Sequence, residues 1–160
     1  MSPGASQRYV YADLSYRTLT PGGYIEYQDY GCEGFLPDGT HLDDVKPRPP
    51  VGVWFAETSK AAAKMGRPLR VAREMKKMLE EAGFVNVTEK KLLWPLSPWP
   101  KDKNLKEIGA WVLQGCVATV YPFAVMLLKK EGWTDEDIKK MCDDAIFDLT
   151  KGKKKYYGEA

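Results

Sequence analysis

Residues 20–29 read Thr20-Pro21-Gly22-Gly23-Tyr24-Ile25-Glu26-Tyr27-Gln28-Asp29, and this stretch governs the predicted fold. Residues 7–19, in which apolar and polar side chains are mixed, are predicted to form a helix, and the Pro-Gly-Gly turn ends it. Tyrosine and isoleucine favour extended backbone. Because a second turn follows, residues 24–30 are predicted to form a strand.

Two helices and a second strand are predicted between residues 50 and 93. Residues 53–65 are predicted to be helical, ending at Gly66. Apolar residues recur at three- and four-residue steps over residues 69–82, which predicts a helix that Gly83 terminates. Residues 84–92 are predicted to form a strand. The long loop over residues 31–50 contains a turn signal and a proline-rich linker, and loops of this length often carry function.

The C-terminal part predicts two more helices. Asp102 or Asn104 can cap a long helix, which Pro122 is expected to kink or divide. Thr134 is predicted to cap the last helix. Residues 94–100 contain three prolines and are predicted to be irregular. The lysine run at 151–155 is predicted to be a solvated tail.

Composition restricts the class of protein. The 160 residues suit one domain, and the 24 basic and 22 acidic residues leave a net charge of +2, which gives no sign of nucleic-acid binding. Three widely spaced cysteines show no metal-ligand spacing and indicate reduced thiols. No secretory signal is visible, so a cytoplasmic location is expected. The apolar run at 108–128 is interrupted by glycine and proline, and burial within the protein is favoured over a membrane span.

Four segments, taken in order, carry a family resemblance: residues 16–26, 38–40, 78–87 and 99–109. Together they resemble the LaeA-like, fungal secondary-metabolism branch of class I S-adenosylmethionine (SAM) methyltransferases. The resemblance implies that residues 24–30 correspond to the fifth core strand of that fold. It covers most of this chain but only the C-terminal half of the family's fold.

The chain also departs from the family. It contains no GxGxG motif, and no strand is predicted before Tyr24 to carry one. Glycine at that turn allows the backbone to approach the cofactor, so its absence removes the usual cradle. We therefore expect no cofactor and doubt that these residues bind SAM. The family's last strand, a hydrophobic run after the final helix, is also expected to be absent, because residues 155–160 read Lys155-Tyr156-Tyr157-Gly158-Glu159-Ala160.

The expected fold is α+β and mostly helical. A single methyltransferase-like domain over residues 1–160 would comprise a partial α/β core, residues 20–93, with a short βαβ-like unit, and a helical cap, residues 94–151. Two strands are too few to be stable without cover, and an exposed strand edge invites pairing with a second copy. A homodimer is therefore expected.

Candidate catalytic residues lie at the end of the first predicted strand. His41, the only histidine, can act as an acid or a base near neutral pH. Asp29 and Glu33 are close enough in sequence to share its environment, and one would have a raised pKa if buried. The alternatives are an exposed loop histidine and acids that cap turns or lie in solvent.

Candidate binding residues are mostly aromatic. Aromatic side chains form apolar pockets with a few polar handles, although most aromatics pack in cores. A hydrophobic small molecule is the expected ligand, and Lys101 could contact an oxygen of it. The candidate substrate-binding residues are Trp54, Trp94, Trp99, Trp111, Tyr121 and Lys101.

Three functions remain open from the sequence. The first is a non-methylating enzyme of natural-product biosynthesis that promotes a cyclisation, pericyclic reaction or isomerisation. The second is the C-terminal part of a genuine SAM-dependent methyltransferase. The third is a non-enzymatic regulatory or partner-binding protein.

Overall fold

The computed structural model describes residues 3–159, with side chains described from Val10 onward. This part of the chain forms five α-helices and three short strands, and its mostly helical α+β class is as predicted. In chain order the elements are α1 (Pro3–Thr18), β1 (Gly34–Phe35), α2 (Pro50–Lys64), α3 (Met75–Ala82), β2 (Leu93–Pro95), α4 (Lys103–Leu128), α5 (Asp135–Lys151) and β3 (Tyr157–Glu159).

The helix boundaries follow local chemistry. Asp102 caps α4 by accepting a hydrogen bond from the Leu105 amide, 2.9 Å long, and Thr134 caps α5 by accepting one from the Asp137 amide, 3.1 Å long. Both caps confirm the sequence prediction. Pro50 begins α2 at a position where its missing amide hydrogen costs nothing. The expected division at Pro122 is wrong, because α4 continues through that residue.

Helices α2, α4 and α5 pack against one another and enclose the core. Each contributes an apolar face with three- and four-residue spacing, as burial of one helix face requires. The side chains that they bury together include Trp54, Phe55, Ala61, Val120, Ala124, Leu127, Leu128, Ile138, Cys142, Ala145 and Leu149. Helix α1 lies apart from this layer and packs against α3, where the Tyr16 ring meets Phe84 at a centroid distance of 5.2 Å.

The three strands form an antiparallel sheet in the order β1-β3-β2, so the predicted βαβ-like unit is wrong. The end of the chain supplies the central strand, in which Gly158 pairs with both Gly34 and Trp94. A side chain at position 158 would lie 3.1 Å from Leu96 and from the Trp94 indole nitrogen, which explains why glycine occupies it. The expectation that no strand follows the last helix is therefore wrong, because Tyr157–Glu159 form one. The prediction of an irregular 94–100 segment also fails at its start, since Trp94 and Pro95 belong to β2.

Residues 24–30 and 84–92 form no strands, contrary to prediction. Among the described residues, no backbone–backbone hydrogen bond pairs residues 24–29 or 85–92. Both segments line a cleft of about 840 Å³. Glu159, the last residue of β3, lies at one end of this cleft.

The predicted helix over residues 69–82 is shorter in the structure. A 3-10 turn at Ala72–Glu74 precedes α3, and Gly83 ends it with a left-handed φ of 107°. The lysine run at 151–155 is exposed, as predicted.

One helix among the described residues, Lys103–Glu131, is long and apolar enough to cross a membrane by length and composition. Its most apolar window has a mean hydropathy of 1.7 and is 22% buried. The core helix of a soluble protein passes the same test, so this is weak evidence for a span.

Candidate functional site: a charged loop cluster beside an apolar cavity

A tight turn brings His41 back beside Glu33. The Asp38 carboxylate accepts a hydrogen bond from the Thr40 amide, 2.9 Å long, and Gly39 adopts a φ of 86°. The turn folds the chain onto β1, where Phe35 and His41 form an isolated antiparallel bridge. The turn signal in the sequence thus determines the position of the histidine.

Glu33 and His41 form a close pair. Glu33 is 1% exposed, and its Oε2 lies 3.3 Å from His41 Nε2. The Asp43 amide donates a hydrogen bond to His41 Nδ1, 3.1 Å long, so in the neutral ring the proton belongs on Nε2, which faces the glutamate. This contact does not meet the criteria of a hydrogen bond, and Nε2 has no other partner among the described residues.

Arginines lie beside the carboxylates of Glu33 and of the neighbouring Asp43. Arg73 donates a hydrogen bond to Glu33, and Arg70 donates one to Asp43. Burial raises the pKa of Asp43, but its hydrogen bond to Arg70 and the nearby positive charges outweigh that effect and leave the pKa below its usual value. Arg48 adds a further guanidinium, 3.5 Å from the Asp43 carboxylate.

The cluster is polar but incompletely bonded. Seven buried side-chain polar atoms among the described residues lack a hydrogen-bond partner, and five of them belong to this cluster. Such atoms are uncommon in native proteins, and their concentration marks the cluster as a place that can form further hydrogen bonds, as donor or as acceptor. The five atoms are Glu33 Oε1, His41 Nε2, Asp43 Oδ1, Arg48 Nε and Arg70 Nε.

An apolar cavity of about 210 Å³ lies on the other side of Cys32. Trp54 and Phe55 of α2 meet at a centroid distance of 5.4 Å, and Trp54 meets Phe123 of α4 at 5.9 Å. Thr119 lines the cavity and is itself exposed, so the cavity reaches the surface beside α4. Few polar groups and several aromatic walls are typical of small-molecule pockets.

Two thiols and a phenol face the cavity. Burial raises the pKa of Cys32 to about 11 and also raises the pKa of Cys116. Burial is likewise the main reason why the pKa of Tyr30 is raised, with the two cysteines contributing. All three groups are therefore protonated at neutral pH, and the thiols are poor nucleophiles.

The structure brings some predicted catalytic residues together and separates others. Glu33 and His41 meet, but neither lines the apolar cavity. Asp29 is exposed and lines the large cleft, where its carboxylate accepts a hydrogen bond from the Tyr30 amide, 2.8 Å long.

The predicted binding residues are also scattered. Trp54 lines the cavity, and its indole nitrogen donates to the Val120 carbonyl at 3.2 Å. Trp94 packs on Tyr30, and Trp99 packs on Tyr157, both away from the cavity wall. The other three, Trp111, Tyr121 and Lys101, are exposed.

Several site residues were missed by sequence reasoning. Tyr30 and Cys32 directly precede Glu33, so their position after the predicted strand was an available signal. Arg70 and Arg73 gave none, because they approach the loop only through the tertiary fold. Phe123 lay within the apolar run but had no feature to distinguish it from core residues.

Neither a metal site nor a cofactor cradle is evident in this part of the protein. The described residues contain no group of histidine, cysteine and carboxylate side chains that could hold a metal ion. The glycines with positive φ in the same part lie in loops or at helix ends, and none joins a strand to the start of a helix. These residues do not fit the glycine-rich turn that holds SAM.

Comparison with known proteins identifies related chains. The probable methyltransferase tdiE of Emericella nidulans is 33% identical over 126 residues, which cover 78% of this chain and 38% of tdiE. Methyltransferase pytC of Aspergillus terreus is 33% identical over 129 residues, covering 77% of this chain and 37% of pytC. The secondary metabolism regulator LAE1 of Cochliobolus heterostrophus is 30% identical over 97 residues, covering 60% of this chain and 30% of LAE1.

This chain thus spans less than two fifths of the length of these relatives. No family model matches the chain. No solved structure matches it significantly.

Proposed function

Because this chain is related to the LaeA-like fungal methyltransferases, we propose that it is a methyltransferase-derived protein of natural-product biosynthesis that does not transfer a methyl group. It binds a hydrophobic intermediate in the apolar cavity and promotes a cyclisation, a pericyclic reaction or an isomerisation. The observation that carries this proposal is the cavity itself, with aromatic walls and an opening beside α4.

Such reactions need no cofactor and no second substrate. They rearrange bonds within one molecule, so holding that molecule in a reactive conformation lowers the barrier. A fixed hydrogen-bond donor adds electrostatic stabilisation where negative charge develops. Since these residues do not fit the SAM-binding turn, no step of the proposed reaction uses SAM.

The first test is calorimetric titration with SAM. We expect no heat of binding, because the chain contains no GxGxG turn. Binding at micromolar concentration would overturn the non-methylating part of the proposal.

The second test measures turnover. Lipophilic intermediates extracted from a strain that lacks the gene are incubated with the purified protein, with and without SAM, and analysed by liquid chromatography and mass spectrometry. We expect a product isomeric with its precursor, formed equally with and without SAM. A product heavier by one methyl group, or no conversion at all, would contradict the proposal.

A matched pair of variants ties turnover to the cavity. Thr119 at the cavity mouth bonds the Gly115 carbonyl at 2.8 Å, and Thr150 on α5 bonds the Ile146 carbonyl at 2.7 Å in the same way. Thr119→Trp should block the cavity and abolish turnover, whereas Thr150→Trp, which lies outside the cavity, should leave turnover unchanged.

A second candidate function is favoured by the short span of the match. Because the chain covers 38% of tdiE, it could act as the acceptor-side part of a complete methyltransferase. An in-frame glycine-rich strand-to-helix motif upstream in the genome would favour this candidate.

The regulatory alternative is favoured by the exposed apolar face of α4, where Trp111 is 68% exposed. Affinity purification from a cell extract, compared between the wild-type protein and Trp111→Glu, would test it. A stable hetero-complex lost in the variant would support a partner-binding role.

A further inference from the structure

The hydrogen-bonding groups around the cavity differ in whether they are already engaged. The Trp54 indole nitrogen bonds the Val120 carbonyl at 3.2 Å, and the Thr119 hydroxyl bonds the Gly115 carbonyl at 2.8 Å. Tyr30 lines the same cavity, and its hydroxyl has no hydrogen bond to any described residue. It is therefore the strongest available donor on the cavity wall.

The sheet holds this hydroxyl in place. The Tyr30 ring packs against the Trp94 ring at a centroid distance of 5.6 Å. A Cβ atom built on Gly158 of β3 would lie 3.2 Å from the Tyr30 hydroxyl, so the oxygen rests over a glycine of the central strand. A phenol fixed in this way loses little side-chain entropy when it binds a ligand.

Polarity around the cavity restricts the charge of the ligand. No lysine, arginine or histidine lines it among the described residues, so a charged ligand would lose its hydration without a compensating partner. A neutral ligand that carries a hydrogen-bond acceptor can accept a hydrogen bond from the Tyr30 phenol. A net hydrogen bond of this kind contributes about 0.5–1.5 kcal/mol.

Shape restricts the ligand further. At the packing density of protein interiors, a cavity of about 210 Å³ holds roughly 150 Å³ of ligand, which corresponds to about two fused rings. The walls formed by Trp54, Phe55 and Phe123 favour offset or edge-to-face contacts with a flat ring. The thiols of Cys32 and Cys116 stay protonated at neutral pH because burial raises their pKa values, so they are weak nucleophiles toward a bound ring.

We propose that the cavity binds a neutral, flat, bicyclic-sized ring with a carbonyl oxygen, and that the Tyr30 hydroxyl donates a hydrogen bond to that oxygen. This assignment rests on the proposed function and names the substrate class, a cyclic aromatic or conjugated ketone. Tyr30 is then the group that orients the ketone.

Two commercially available probes of nearly equal shape test the assignment: 1-tetralone, which has the carbonyl, and tetralin, which lacks it. Dissociation constants are measured by isothermal titration for the wild type, Tyr30→Phe and the control Tyr157→Phe, whose ring packs on Trp99 outside the cavity. We expect the wild type and the control to prefer tetralone about fivefold to tenfold, as one hydrogen bond provides. Tyr30→Phe should bind both probes equally and keep the wild-type affinity for tetralin.

The outcomes distinguish a failure of the Tyr30 assignment from a failure of the proposed function. If the wild type binds both probes equally, the Tyr30 assignment is overturned and the hydrophobic cavity of the proposed function stands. If neither probe binds the wild type, the proposed function fails as well. If Tyr30→Phe does not fold, the carbonyl stretching frequency of tetralone bound to the wild type decides. A shift to lower frequency than in hexane supports the hydrogen bond, and an unshifted band overturns it.

Discussion

At the scale of single residues, Glu33 is the most constrained group in the described part of the protein. It is a carboxylate that is 1% exposed, and Arg73 and His41 both approach its Oε2 atom. A buried carboxylate needs such partners because desolvation strongly disfavours its charge. Through its contacts with His41 and Arg73, Glu33 thus joins the loop that carries His41 to the segment that precedes α3.

Substitution at Glu33 measures this structural role. Glu33→Gln removes the charge-assisted hydrogen bond and should lower the free energy of unfolding by about 1–3 kcal/mol. The control is Glu80→Gln, which removes an exposed ion pair with Lys76 and should change it by less than about 0.5 kcal/mol. Urea denaturation monitored by tryptophan fluorescence gives both values. Equal effects of the two substitutions would contradict a constrained Glu33.

Asp43 should make stability depend on pH in the acidic range. Its pKa is lowered in the folded protein, since hydrogen bonding to Arg70 and nearby positive charges outweigh burial. A carboxyl with a lowered folded pKa stabilises fully at pH values above its unfolded pKa of about 3.9. This contribution is lost as the pH falls through the folded value.

The measurement is the urea midpoint between neutral pH and about pH 2, below the unfolded carboxyl pKa. The wild type should lose stability more steeply on acidification than Asp43→Asn. Parallel curves for the two proteins would show that the ion pair with Arg70 does not contribute.

At the scale of elements, α4 approaches the chain closely at one glycine and leaves another in open space. A Cβ atom at Gly109 would lie 2.4 Å from the Ser97 carbonyl oxygen, whereas one at Gly115 would meet nothing within 4 Å. The same substitution in the same helix should therefore have opposite effects.

Gly109→Ala should destabilise the protein by about 1–3 kcal/mol, because the backbone at Ser97 must move. Gly115→Ala should stabilise it by about 0.5–1 kcal/mol, because alanine loses less backbone entropy in a helix. Thermal and urea unfolding of the two variants check the signs. A stable Gly109→Ala protein would mean that α4 does not press against the 97–98 segment.

The helices could be predicted from the sequence because their signals are local. The caps Asp102 and Thr134 and the terminating Gly83 each act within one helical turn. Strands were predicted poorly because pairing requires a distant partner. Residues 24–30 have a strand-like composition but no neighbour, while Tyr157–Glu159 lacked an obvious pattern and became the central strand.

The site was predictable to the same extent. The turn that returns His41 to Glu33 could be read from Asp38 and Gly39, which are local. Arg70 lies 27 residues from Asp43 and Arg73 lies 40 residues from Glu33, so no local pattern indicates these two partners. The sequence shows which residues are aromatic but not which of them line the cavity, because burial and exposure depend on which helix faces meet.

At the scale of the whole molecule, the homodimer expected from the sequence stays a prediction. Residues 24–30, the strand whose edge was expected to pair with a second copy, form no strand. Helix α4 has an exposed apolar face, on which Trp111 is 68% exposed and Met126 is 55% exposed. Exposed apolar patches of this kind often mark contact surfaces.

Sedimentation velocity over a range of concentrations tests for the dimer. We expect the wild type to sediment as a dimer and Trp111→Glu to sediment as a monomer, because a charge on this face opposes its burial. Lys106→Gln changes the net charge by the same amount on another side of α4 and should remain dimeric. A wild type that is monomeric at all concentrations would refute the prediction, and a dimeric Trp111→Glu would place the contact elsewhere.

The central position of β3 has a practical consequence for handling the protein. Its last described residue, Glu159, lies at the end of the cleft between residues 24–29 and 85–91, and its carbonyl accepts a hydrogen bond from the Gly31 amide. An affinity tag fused to this end would therefore follow closely on the central strand, whose last described residue, Glu159, lines the cleft. Because β3 pairs with both other strands, we expect a tag at this end to lower the stability of the sheet.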